Sequence, residues 1–246
     1  MTWRNIWTII KREIMGFFSS PVGFVFIFIF LLVLGFFTFM VAGFFESGEA
    51  NLLTFFTWHP WLYLFLVPAV GMRMWSEERR LGTMELLLTM PITPWEAIIG
   101  KFLASWAIVG VALVLTFPMI ITVNYLGHPD NGVILGGYIG SFLMAGAYLS
   151  ISSMTSAMTR NQVVSFIISV VITLFLILAG FAPVTDMVVN WAAPWFVQGI
   201  AGVSVLTHFQ GIQKGVLDSR DILYFLSVIG FSLFTTGVVI RAHRAG

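Results

Sequence analysis

The chain reads as an all-α, polytopic membrane protein. It has six membrane-crossing helices, an N-terminal amphipathic helix at the interface, a cytoplasmic helix between the second and third spans, and short outer helices between the fifth and sixth. Three observations predict this. Hydrophobic residues fill 59% of the 246 positions and charged residues 9%, with a mean hydropathy of +0.97, whereas a soluble domain carries about 25% charged residues. Six apolar segments come near or reach the roughly 20 residues that cross a bilayer as a helix. They run at 22–45, 58–75, 102–125, 133–157, 163–182 and 222–240, and they are continuous rather than alternating, which excludes membrane strands. Finally, the charges fall between these segments and sort strongly by sign of face. The whole chain, 1–246, is expected to form one membrane domain.

In order, Trp3, Ile6, Trp7, Ile10 and Ile14 recur at helical spacing, with Arg4, Asn5, Lys11 and Arg12 elsewhere around the turn. That pattern predicts a helix lying in the membrane interface. The first apolar run, 22–45, outlasts a signal-peptide core of about 7–15 residues and is followed by no A-x-A site, so it is expected to be retained as a span. Pro68 and Pro118 lie inside the second and third runs and are expected to kink them. Residues 183–220 are too polar to cross, yet hold Trp191, Trp195, Phe196 and Val197, which suits short helices at the outer interface.

Placing both termini on one side gives that side Arg4, Lys11, Arg12, Arg73, Arg79, Arg80, Lys101, Arg160, Arg241 and Arg244. Only Lys214 and Arg220 remain for the other. The bias makes both termini cytoplasmic. Eight of the 23 charged residues, Arg73, Glu77, Glu78, Arg79, Arg80, Glu85, Glu96 and Lys101, sit in one short cytoplasmic stretch. Leu81, Met84 and Leu88 would share one face of a helix through it. Such a concentration predicts a docking surface for a soluble partner.

Bond-making chemistry is scarcely supported. Cysteine is absent, and there is no G-x-x-x-x-G-K-[ST], G-x-G-x-x-G or H-E-x-x-H pattern. No cofactor or metal is expected to bind this chain, and no nucleic acid. His59, His128, His208 and His243 are scattered, and the twelve methionines form no tight cluster with them. Ser204 and His208 stand four apart, the one arrangement that would suit an intramembrane hydrolase, but no third group or oxyanion device accompanies them. Ionisable residues are almost missing from the spans, so driving energy is expected from elsewhere.

Small and hydroxylated residues mark helix packing: Gly136 and Gly140 in the fourth run, and Ser165, Ser169 and Thr173 at i, i+4 spacing in the fifth. They permit close approach within a protomer or across a dimer. The inner end of the fourth run, with Ser150, Ser152, Ser153, Thr155, Ser156 and Thr159, would line a polar cavity or satisfy neighbouring backbone.

The stretch Glu78-Arg79-Arg80-Leu81-Gly82-Thr83-Met84-Glu85-Leu86-Leu87, followed by Pro91 and then Gly100-Lys101, resembles the cytoplasmic loop of ABC-2-type transporter permeases, with an E-x-x-x-G-T-x-E-x-L pattern. The turn Thr159-Arg160-Asn161-Gln162 and the segment from Gly215 to Tyr224 are similar to the family's as well, and among its members the chain looks most like gliding-motility-type permeases. The resemblance implies a permease subunit of the cytoplasmic (inner) membrane of a prokaryote, dimerising with a second copy or a related permease. An ABC ATP-binding subunit would carry ATP and Mg and hydrolyse the nucleotide, so this chain is not itself an enzyme. It implies a coupling helix around Glu77 to Met90 seated on that subunit. Glu77, Glu78, Arg79, Arg80, Gly82, Thr83, Glu85, Leu86, Lys101, Arg160, Asn161 and Gln162 would lie at that interface. Ser165, Ser169 and Thr173 are expected to line the dimer interface or the pathway. Export is the implied activity. The alternative is a subunit that passes ATPase work to an extracytoplasmic partner without moving a solute.

Overall fold

A computed structural model describes residues 2–46, 48–84, 92–189 and 194–242. Every regular element among them is helical. We number the helices α1 (Trp3–Ser19), α2 (Pro21–Phe36, continuing as a π turn over Phe37–Val41), α3 (Leu53–Thr57), α4 (His59–Gly71), α5 (Arg73–Leu81), α6 (Pro94–Val114), α7 (Pro118–Leu126), α8 (Asn131–Met158), α9 (Gln162–Leu178), α10 (Ala182–Val189), α11 (Pro194–Val203), α12 (Val205–Gln213) and α13 (Ser219–Ala242).

Among the described residues, four segments are long and apolar enough to cross a membrane: Gly23–Val41, Pro94–Leu126, Asn131–Met158 and Ser219–Ala242. Helix α9 is apolar but shorter, and the stretch 58–75 is divided by a turn at Met72 into α4 and α5. Helix α8 is the central column. Its most apolar window is 61% buried, against 22% for the first segment, and it packs against α13, α4, α9, α12 and α6. Gly140 lets α12 approach it, because a Cβ there would lie 2.6 Å from Ile212. Gly71 does the same for α4, where a Cβ would meet that of Ser152.

The third apolar run begins earlier than its hydropathy suggests. Thr93 accepts from the Glu96 backbone N–H, and the Glu96 carboxylate accepts from Thr93 N–H at 2.9 Å. This capping box, with Pro94 in the first turn, starts α6 about two turns before Phe102. The chain breaks over Leu115–Phe117 and restarts at Pro118, which has no backbone N–H to continue the ladder.

Helix α1 does not merely float in the interface. Ile6, Ile9 and Ile10 are buried against α6, where Gly100 leaves room for Ile9. Glu96 fastens its start, accepting from Thr2 N–H at 2.6 Å and from Asn5 Nδ2 at 3.3 Å. Trp3 and Trp7 remain exposed on the adjoining flank, the position in which Trp sits at a membrane interface.

Candidate functional site

The charged stretch of α5 lies against the bundle, packed on α8. Its beginning is fastened to α8. Ser156 Oγ accepts from the N–H groups of Trp75 and Ser76, both at 3.0 Å, and donates to the Met72 carbonyl at 2.8 Å. The Trp75 indole donates to Ser153 Oγ at 3.1 Å. The hydroxyls at the end of α8 therefore satisfy the backbone freed at the Met72 turn. Further along, Arg79 donates to the Ala157 carbonyl in the last turn of α8, where a cation also complements the helix dipole. Burial, and then the neighbouring Arg160, lower the Arg79 pKa from its ordinary value. Arg79 and Arg160 thus share one patch.

The buried ion pairs of this region centre on Lys101, whose side chain is 5% exposed. Its Nζ stands 2.8 Å from Glu78 Oε1 and 3.2 Å from Glu13 Oε1, and 5.5 Å from the centre of the Trp75 ring. Arg12 adds a contact to Glu13 at 2.7 Å. Burial alone would raise the Glu13 pKa, but Lys101 and Arg12 outweigh it and hold the carboxyl below its ordinary value. One ammonium therefore joins α1, α5 and α6 through charge-assisted bonds in a nearly dry site. Removing such a partner leaves buried charge uncompensated, at a cost of about 3–5 kcal/mol.

Helix α5 ends at Leu81. Gly82 takes φ +72°, in the left-handed region, and its N–H returns to the Glu78 carbonyl. The expected single helix with Leu81 and Met84 on one face is corrected here: Leu81 is exposed and Met84 buried, because the glycine cap reverses the chain between them. Glu85 and Leu86, with the rest of 85–91, lie outside the described residues.

The predicted interface residues fall into two groups. Glu77, Arg80, Gly82 and Thr83 face outward or partly so, and Arg80 meets Glu77 at 3.9 Å. Arg160 and Asn161 are exposed as well, Asn161 capping α9 by accepting from Val163 N–H at 2.9 Å, with Gln162 the first residue of that helix. Glu78 and Lys101 point inward, as parts of the clamp. Glu13 was not among the expected residues, although its spacing from Ile6, Ile9 and Ile10 puts an acid on the buried face, which was the available signal.

Ser165, Ser169 and Thr173 lie elsewhere. All three are fully buried within the protomer, and Thr155 of α8 lies 2.5 Å from Ser169 Oγ and 3.3 Å from Ser165 Oγ. The stripe is buried within the protomer rather than presented at its surface: the Ser165 and Ser169 hydroxyls meet Thr155 of α8, Thr173 Oγ1 has no hydrogen-bond partner among the described residues, and the exposed face of α9 carries Val163, Ile167, Val171 and Phe175. At the opposite end, Ser204 caps α12 through Leu206 N–H. His208 turns instead to Asp221, 2.6 Å away, and to the Gly202 carbonyl at 3.1 Å. Its ring stacks on Tyr224, so both nitrogens are engaged away from Ser204. The hydrolytic pairing does not form.

The arrangement joins α1, α5 and α6 through buried charge, and Ser204 has no histidine base beside it. The family model of the ABC-2 family transporter protein matches residues 62–209, more than half of the chain. The protein belongs to the ABC-2 transporter family. Over 142 residues it is 30% identical to the inner membrane transport permease YhhJ of Escherichia coli (strain K12), and equally to that of Shigella flexneri. These alignments cover 57% of this chain and 36% of each relative, so the chain spans about a third of the length of the curated relatives it matches. In this ABC-2 permease the matched region holds α5, Lys101 and Arg160, whereas Glu13 lies before it. The clamp ties the matched region to α1, which precedes it in the chain.

Proposed function

We propose that this ABC-2 permease is the membrane subunit of an ATP-driven exporter in the cytoplasmic membrane, with six spans and both termini in the cytoplasm. The two spans beyond the four long helices are residues 58–75, made of α4 and the first residues of α5, and α9. A separate ATP-binding subunit docks on the basic patch of Arg80, Arg160 and the Gly82 turn and uses ATP and Mg. A second permease copy packs on the exposed apolar face of α9.

The observation that carries the reading is the Lys101 clamp. A docking face can do work on a membrane domain only if its displacement reaches the spans. Here α5 is bonded to α6 through Glu78 and Lys101, and to α8 through Ser156 and Arg79. Closure of the partner would tilt α5, and the third and fourth spans would follow. The nucleotide biases two arrangements that differ in these contacts.

Reversing Glu78 would break the clamp as well as the surface, so the test uses outward residues. In the Arg80→Glu, Arg160→Glu double variant, co-purification of the ATP-binding subunit from native membranes should fall about tenfold or more, with thermal melting of the permease unchanged. Normal co-purification would refute the docking assignment.

A further inference from the structure

Two cavities meet at Arg73. The first, of about 480 Å³, lies within the charged region and is lined by Arg12, Glu13, Glu77, Glu78, Lys101 and Arg73 among others. The second, of about 310 Å³, is an apolar groove between α2, α4 and α6 lined by Val25, Phe26, Ile29, Leu66, Ala69 and Ile108. Arg73, Phe17 and Val70 line both. Val25 and Ile29 are 51% and 41% exposed on a helix long and apolar enough to cross the membrane, so the groove opens towards hydrocarbon.

The charges lining the polar cavity are unequally satisfied. Lys101 is paired with Glu13 and Glu78, and Arg12 with Glu13. Arg73 forms no ion pair among the described residues, and its buried Nε has no hydrogen-bond partner. On the acidic side, Glu78 Oε2 is likewise buried without a partner, and Glu77 has only Arg80 at 3.9 Å. A partly buried cation and a partly buried carboxylate, each lacking a full complement of partners, are costly unless something completes them. The site therefore offers an unmet cation where the apolar groove begins and unmet carboxylate capacity deeper in the polar cavity.

We propose that the joined cavities hold one membrane phospholipid with a phosphoethanolamine headgroup. Its phosphate pairs with the Arg73 guanidinium, its primary ammonium donates to Glu78 and Glu77, and an acyl chain fills the groove over Ala69. A free anion would leave the groove empty. A phosphoglycerol headgroup would bring no cation to the carboxylates. A choline headgroup carries no N–H to donate. The inference requires only that the chain lies in a bilayer and is independent of the ATP-driven reading.

The test is native mass spectrometry of the full-length permease released from nanodiscs of equal phosphatidylethanolamine, phosphatidylglycerol and phosphatidylcholine. One phosphatidylethanolamine per chain should be retained after partial delipidation, about tenfold over the other two. Arg73→Gln should abolish the preference and Arg73→Lys restore part of it. Ala69→Trp, which fills the groove and alters no charge, should lose the lipid with melting unchanged. Equal retention of phosphatidylglycerol, or retention indifferent to both Arg73→Gln and Ala69→Trp, overturns the proposal. Association with the ATP-binding subunit is read separately, so its failure leaves this result intact.

Discussion

The basic end of the bundle and the opposite end use the same device, a carboxylate bonded to a nitrogen base between helices, to different effect. At the basic end, Lys101 reaches residues 88 positions apart in one direction and joins three helices at 5% exposure. At the opposite end, His208 and Asp221 are 13 residues apart, link the neighbouring α12 and α13, and keep 17% and 16% exposure. The first closes long loops and fixes how remote elements sit on one another; the second secures a local hairpin. An interhelical ion pair therefore reports on assembly only when its partners are distant in the chain and dry.

The strongest break in that contrast is Lys101→Met. It leaves Glu78 without its cation and Glu13 with Arg12 alone, and should destabilise the detergent-solubilised chain by about 3–5 kcal/mol. A melting temperature close to wild type would show that the clamp is not structural. A smaller effect comes from acid. The folded-state pKa of Glu13 lies below the ordinary 4.5. Its stabilisation is therefore complete above that value and disappears as pH falls through the folded pKa. Melting should be level from neutral pH to about 5 and then decline, with a shallower decline in Lys101→Met, which lacks the main cause of the shift.

Asp221→Asn should cost about 1–2 kcal/mol, since a hydrogen bond to a charged group is lost in a half-dry site. Hydrogen exchange should rise over Val205–Gln213 while binding of the proposed ATP-binding subunit stays normal; loss of that binding would mean that the two ends are coupled. The smallest effect belongs to Arg80→Gln. Its bridge to Glu77 is long and exposed, so stability should change by less than about 0.5 kcal/mol. Any larger shift in a melting curve would place Arg80 inside the clamp.

The sequence by itself determined the class of the molecule. Apolar runs of bilayer length have no alternative but helix, because backbone groups in hydrocarbon must bond within their own segment. The concentration of charge around α5 and the turn at Arg160 could likewise be read from spacing, as could the capping box at Thr93 and Glu96, whose signature is local. Tertiary structure decided the rest. It placed Glu78 and Lys101 inside and Arg80 and Arg160 outside, turned the chain at Gly82 between Leu81 and Met84, and set Ser165 and Ser169 against Thr155. It also brought Glu13 to a lysine 88 residues away. Helical periodicity shows that a residue lies on a face, but only the packing of a second helix shows what that face meets. For a charged residue, that partner separates a buried clamp from an exposed docking surface.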